Sequence, residues 1–116
     1  MQTMTFTGIT VDVNDDGYFT RPEEWTEDMA PEIAAGEGVD HLGAEHWQVI
    51  RFLRACYLEG ERPPSVRVTS KRCGIPAKRL YQLFPQRPIK KAAKIAGIPE
   101  PRLYLGGCIA SWGPRP

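Results

Sequence analysis

Among the residues of this 116-residue chain that could do chemistry, three cysteines stand in different surroundings. Cys56 falls within a periodic apolar run and reads as core filling, where burial raises a thiol's pKa and keeps it unreactive. Cys73 precedes Gly74 at an apolar position near an expected helix end, which also favours packing. Cys108 follows Gly106-Gly107, so few steric limits fall on its backbone and its sulfur could swing towards another molecule. Anchored at Pro101, the residues up to Cys108 could extend by roughly 24 Å. Such reach suits a thiol that accepts sulfur at one site and delivers it at another by attack and exchange. The competing reading is an incidental tail cysteine. An odd cysteine count at wide spacing, no CxxC pair and only two histidines argue against a disulfide framework or structural zinc site.

Two further patterns invite a chemical reading. Asp12, Asn14, Asp16, Gly17 and Glu23 match the spacing of a calcium loop, with oxygen ligands around a hard cation and Gly17 at the sharp turn. Strand-like sequence precedes Asp12 where a helix is needed, and Pro22 falls late in the loop, so an acidic hairpin turn is favoured and no metal is expected. Thr69 to Leu80 reads as two short helices about Gly74, with Ile75, Leu80 and Leu83 apolar, and resembles a helix-turn-helix. Lys71, Arg72, Lys78 and Arg79 could contact phosphates there, and Arg67, Lys90, Lys91 and Lys94 could extend the patch to nucleic acid or a protein partner.

The elements that must position these groups can be read from periodicity and punctuation. Phe6 to Val13 alternates apolar with small or polar residues, and Asn14-Asp15-Asp16-Gly17 turns the chain towards Tyr18-Phe19, giving a short β-hairpin. Thr20 with Glu23 forms a capping-box pattern and Thr26 offers a second cap, so a helix is expected over much of 21–36, ending at Gly36 and Gly38. Val49, Ile50, Leu53, Cys56 and Tyr57 form one stripe of a helix over 44–59, with Trp47 beside it. Short helices follow over about 65–73, 76–84 and 89–96, separated by Gly74, by Pro85 and Pro88, and by Gly97 with Pro99. The expected fold is mainly α, a small orthogonal helical bundle with an N-terminal β-hairpin and a helix-turn-helix-like segment. Residues 1–101 would form the helical domain and 102–116 a C-terminal arm carrying Cys108.

Length and composition fit one globular domain without a separate cofactor domain. No run is long and apolar enough to span a bilayer, and the first residues lack a basic start followed by an apolar stretch, so a cytoplasmic location is expected. The net charge of +1 hides a division. Residues 1–50 carry eleven acidic side chains against Arg21 alone, a balance of −10, whereas 51–116 carry fourteen Lys or Arg against three Glu, a balance of +11. Either the halves neutralise each other across the fold, or the second presents a basic face to nucleic acid or an acidic protein.

Several blocks then resemble a known family. The Asp16-Gly17-Tyr18 of the hairpin, Trp25, Glu37-Gly38-Val39, Glu45-His46-Trp47, Arg51-Phe52-Leu53-Arg54 and Tyr57-Leu58-Glu59 are similar to the DsrC/TusE family. So are Leu80 to Pro85 and Lys94 to Pro101, and the resemblance runs in register over about 5–101. Gly107-Cys108-Ile109 resembles the family's terminus. The resemblance implies a helical fold with a mobile arm, no cofactor, and Cys108 as a persulfide carrier, more a protein substrate than a stand-alone enzyme. Its partners would be sulfurtransferases or sulfite reductase proteins, in sulfur metabolism or tRNA 2-thiouridine synthesis. A DNA-binding regulator and a noncatalytic docking subunit of a sulfite reductase complex are the alternatives. DsrC proper has a second arm cysteine where Ala93 stands here, so the resemblance is closer to the single-thiol TusE pattern. The tail is also longer than the family's, with Leu103, Tyr104 and Trp112 as candidate anchors should it pack.

Overall fold

A computed structural model describes residues 2–103 and 110–112. Strand β1 (Gln2–Phe6) pairs antiparallel with β2 (Ile9–Val13), in register from Gln2 with Val13 to Phe6 with Ile9. The hairpin therefore turns earlier than its sequence suggests. Thr7 and Gly8 both have positive φ, +51° and +80°, the geometry of a two-residue turn whose twist matches that of paired strands. The turn expected at Asn14 to Gly17 is also formed, but it returns the chain only to a single bridge between Val13 and Phe19.

The helix expected over much of 21–36 is broken. Two 3-10 turns, Pro22–Glu24 and Glu27–Met29, precede α1 (Ala30–Gly36). Neither threonine caps a helix: the Thr20 hydroxyl donates to the Asp12 carbonyl at 3.3 Å, and Thr26 makes no capping bond. Trp25 and Thr26 are extended, which turns the Trp25 indole towards a distant helix instead of continuing a local one.

The remaining helices follow the apolar spacing closely. In α2 (Ala44–Leu58) Val49, Ile50, Leu53 and Cys56 are buried, with Trp47, Phe52 and Tyr57 packed at the core's edge. At its start, the Gly43 amide donates to His46 Nδ1 at 3.0 Å, leaving Nε2 to donate to the Leu83 carbonyl at 3.0 Å. Helix α3 (Val66–Cys73) is capped by the Ser65 hydroxyl, which accepts from the Val68 amide at 3.1 Å, and it ends at Gly74 with φ +70°. Helix α4 (Ala77–Leu83) follows, anchored by buried Leu80 and Leu83.

Helix α5 (Pro88–Ile95) buries Ile89, Ala92, Ala93 and Ile95 against α1 and α2. Among the described residues the result is a mainly α fold of five helices with an N-terminal antiparallel hairpin around one core, in which Phe19, Met29, Ile50, Leu53, Leu80, Phe84, Ile95 and Ile98 are fully buried. No helix among the described residues is long and apolar enough to cross a membrane.

After α5 the chain forms β3 (Pro101–Leu103), which pairs antiparallel with β4 (Ala110–Trp112). Pro101 faces Trp112 and Leu103 faces Ala110. Trp112 is the candidate anchor that the described residues place against the helical body.

Candidate functional site

Cys108 lies outside the described residues, as do Tyr104 and the Gly106-Gly107 pair. The strands on either side of that segment are described. Leu103 and Ala110 are register partners, so the segment leaves and re-enters the fold at neighbouring points.

Several elements fix the base of this hairpin. The Trp112 indole N–H donates to the Glu61 carbonyl at 2.7 Å, and its ring meets Tyr57 edge-on at 5.6 Å between centroids. Glu61 is held in turn: its amide donates to the Cys56 carbonyl at 2.9 Å and its carboxylate accepts from Arg72 at 2.9 Å. The Arg72 guanidinium also lies over the Phe52 ring at 5.0 Å. The end of α2, the end of α3 and β4 thus meet around one loop residue.

On the other strand, buried Pro101 follows Glu100, whose carboxylate lies 3.5 Å from Lys90 Nζ. Arg54 caps the end of α5 just upstream, donating to the Ala96 carbonyl at 2.7 Å beneath the Trp25 ring, 4.3 Å from the ring centroid. Burial lowers the Arg54 pKa, and Trp25 donates to the Ile95 carbonyl at 2.9 Å. Gly97 has φ +67°, and a Cβ there would fall 2.1 Å from Trp25 Cδ1. Sequence reading misses this clamp of Trp25, Arg54 and Gly97. All three residues fall in blocks that carry the family resemblance, but no local spacing joins them to one another.

The other two thiols are held by packing. Cys56 is buried and Cys73 half-buried, both as free thiols. Burial is the main cause that raises each pKa; Arg72 opposes it at both, and Glu61 adds to it at Cys56. Neither site favours a thiolate.

The acidic turn serves the backbone. Asn14 Oδ1 accepts from the amides of Asp16 and Tyr18, both at 2.9 Å, while the Asp12 carboxylate faces Arg21 at 3.4 Å. Glu24, and not Glu23, reaches back to this turn, accepting from the Asp12 amide at 3.1 Å.

The basic candidates divide into two groups. Arg72 pairs with Glu61, Arg79 with Glu45 at 2.8 Å, Lys90 with Glu100, and Lys94 with Glu37 at 3.0 Å. Among the described residues no ion pair includes Arg67, Lys71, Lys78 or Lys91. Arg79 to Glu45, Lys94 to Glu37 and Arg51 to Glu27 at 3.3 Å join the basic half to the acidic half, so mutual neutralisation accounts for part of the charge division. Helices α3 and α4 follow one another about Gly74 and are in contact, with the Ser70 hydroxyl donating to the Ile75 carbonyl at 2.6 Å.

Comparison with known proteins agrees with this architecture. The chain is 39% identical over 105 residues to the sulfurtransferase TusE of Salmonella typhimurium, covering 84% of this chain and 95% of that protein. It is 37% identical to TusE of Escherichia coli K12 over the same length and coverage. The solution structure of DsrC from Allochromatium vinosum superposes with a TM-score of 0.78 at 34% identity, covering 92% of this chain and 97% of the other. The oxidised gamma subunit of dissimilatory sulfite reductase from Archaeoglobus fulgidus gives 0.75 at 31% identity, covering 93% and 100%. A family model described as DsrC like protein matches residues 5–109. The hairpin from Thr5 onward, the helices α1 to α5 and the residues leading to Cys108 thus fall within one continuous match, and the chain belongs to the DsrC-like family.

Proposed function

We propose that this protein is a cytoplasmic sulfur-relay carrier that holds sulfane sulfur as a persulfide on Cys108 and hands it to a partner in sulfur metabolism or tRNA thiolation. The chemistry is an exchange at sulfur. The Cys108 thiolate attacks the outer sulfur of a donor persulfide; a new S–S bond forms as the donor's S–S bond breaks, and the donor leaves as its thiolate. Delivery repeats the step with Cys108 as the leaving group, so neither transfer needs an outside oxidant or reductant.

The observation that carries this reading is the contrast among the thiols. Packing and burial set Cys56 and Cys73 against ionisation, while Cys108 stands in the segment between β3 and β4, within the family match. The names of the relatives, sulfurtransferase TusE and the gamma subunit of dissimilatory sulfite reductase, supply the reaction class and the kinds of partner. With Ala93 buried where DsrC proper has its second arm cysteine, Cys108 acts alone in this scheme.

Peptide mass spectrometry of the reduced protein after incubation with a persulfide donor tests it. One added sulfur at Cys108, absent in Cys108→Ser, is expected. Labelling confined to Cys56 or Cys73, or none at all, would overturn the proposal. If Cys108→Ser left biological function and partner co-purification unchanged, a purely docking role would replace it.

A further inference from the structure

Between α3, α4 and the turn leading into α5 the surface folds into a slot of about 250 Å³. Its walls are apolar: Val66 from α3, Tyr81 from α4, and Pro88 and Ile89 from the start of α5. Tyr81 is 50% exposed, an aromatic ring standing at the edge of a concave apolar surface. Arg87 and Lys90 complete the rim together with Gln86, and among the described residues no acidic side chain lines the slot.

The charges around it are uneven. Arg67 adjoins Val66 in sequence, and Lys78 lies one turn before Tyr81 on α4; both are exposed. Among the described residues, no ion pair includes Arg67, Lys78 or Arg87. The cations nearer α2 are neutralised instead, Arg72 by Glu61 and Arg79 by Glu45. A polar basin of about 390 Å³ shares Gln86, Arg87 and Lys90 with the slot and adds Lys91. In that basin Glu37 and Glu100 are engaged by Lys94 and Lys90, which leaves Asp16 as the carboxylate there with no cation within 4.0 Å among the described residues.

We propose that this slot receives an acidic segment of a partner protein, with one bulky apolar side chain seated on Tyr81, Val66 and Ile89 and flanking carboxylates meeting Arg87, Arg67 and Lys78. Two observations select this occupant. The slot is smaller than the roughly 300–1,000 Å³ common for small-molecule sites, and its apolar lining beside unneutralised cations complements a side-chain anchor with acidic neighbours. Duplex DNA fits less well, because an apolar slot offers nothing to phosphate and Arg79 is already bound to Glu45 at 2.8 Å and Gln82 at 3.3 Å. Gln86, between both depressions, holds φ +76°, outside the usual range for a residue with a side chain, which fixes the path of the turn on which Arg87 stands.

The test is fluorescence anisotropy on the full chain with a labelled peptide Glu-Asp-Trp-Leu-Asp-Glu. A control peptide replaces Trp-Leu by Ala-Ala, another replaces every acid by its amide, and a labelled DNA duplex forms a separate arm. Binding with Kd of about 100 μM or tighter is expected, weakened at least about tenfold by either control change, and falling as salt rises. Arg87→Glu and Tyr81→Ala should each weaken it at least about fivefold, whereas Lys71→Glu, outside the slot, should leave it within about twofold. Amide chemical shifts of the unmodified protein give an independent readout: peptide should move Val66, Tyr81 and the Arg87–Ile89 signals first. No peptide binding, binding indifferent to the Trp-Leu anchor, or shifts centred elsewhere would overturn the proposal. Salt-dependent duplex binding without peptide binding would assign the cations to nucleic acid and also reject it.

Discussion

Trp112 donates its indole N–H to the main-chain carbonyl of Glu61 at 2.7 Å, tying the second strand of the C-terminal hairpin to the loop that follows α2. The bond spans 51 residues of sequence, and the Trp112 ring adds an edge contact with Tyr57. Together these contacts favour the closed hairpin by about 1–2 kcal/mol over a form in which β4 has come away. Trp112→Ala should therefore increase local opening by roughly 5–30-fold with little effect on global unfolding. Limited trypsin digestion should show faster cleavage after Arg102, within β3, while cleavage in the helical body keeps its rate.

Arg54 joins three elements through its bond to the Ala96 carbonyl and its position over Trp25. Arg54→Ala should destabilise the protein by about 2–3 kcal/mol, measured by urea unfolding, since it loses both contacts and uncaps α5. Arg54→Lys should restore only part of this, because an ammonium lacks the planar face that stacks on an indole.

Gly97 and Gly60 provide an internal comparison. Both have positive φ, but an added Cβ at Gly60 meets open space while at Gly97 it would strike Trp25. Gly60→Ala should cost about 1–2 kcal/mol from backbone conformation alone. Gly97→Ala should cost more than about 3 kcal/mol by the same measurement, the added part coming from displacement of the indole.

His46 is held neutral by its surroundings. Nδ1 accepts from the Gly43 amide and Nε2 donates to Leu83, and burial is the main cause that lowers its pKa. A histidine whose folded pKa lies below the unfolded value contributes stability that is present above roughly pH 6.5 and lost as the pH falls through its folded pKa. Urea midpoints should fall on acidification below about pH 6.5, and His46→Gln should flatten that part of the profile while lowering stability at neutral pH.

The parts of this fold that were legible in the sequence are those in which one local signal dominates. The stripe from Val49 to Cys56 defines α2, and Gly74 with Pro76 separates α3 from α4 as expected. The reading failed where a side chain had a distant partner. Thr20 and Glu23 spell a capping box, yet the Thr20 hydroxyl bonds across to Asp12, and Trp25 breaks the local helix to reach Ile95, seventy residues on. The Thr7-Gly8 turn was missed because an alternating pattern runs straight through it, and only the positive φ of both residues reveals it. Of the candidate site, the thiol ranking agrees with the burial of Cys56 and Cys73, and Cys108 itself lies outside the described residues. The basic cluster was legible as a list of cations; which of them are neutralised depends on Glu45, Glu61, Glu37 and Glu100 arriving from other elements.

Under the proposed transfer, the pairing of Leu103 with Ala110 also bears on the shape of any partner that would exchange sulfur with Cys108. A chain with one free end can thread a narrow tunnel and present its last residues deep inside. A segment whose two ends are joined side by side enters only an opening that admits both strands at once, roughly 10 Å across with their side chains, given a strand spacing of about 4.8 Å. A partner with a wide, shallow mouth would admit the closed hairpin, whereas one with a deep, slender channel would first have to draw Trp112 away from Glu61.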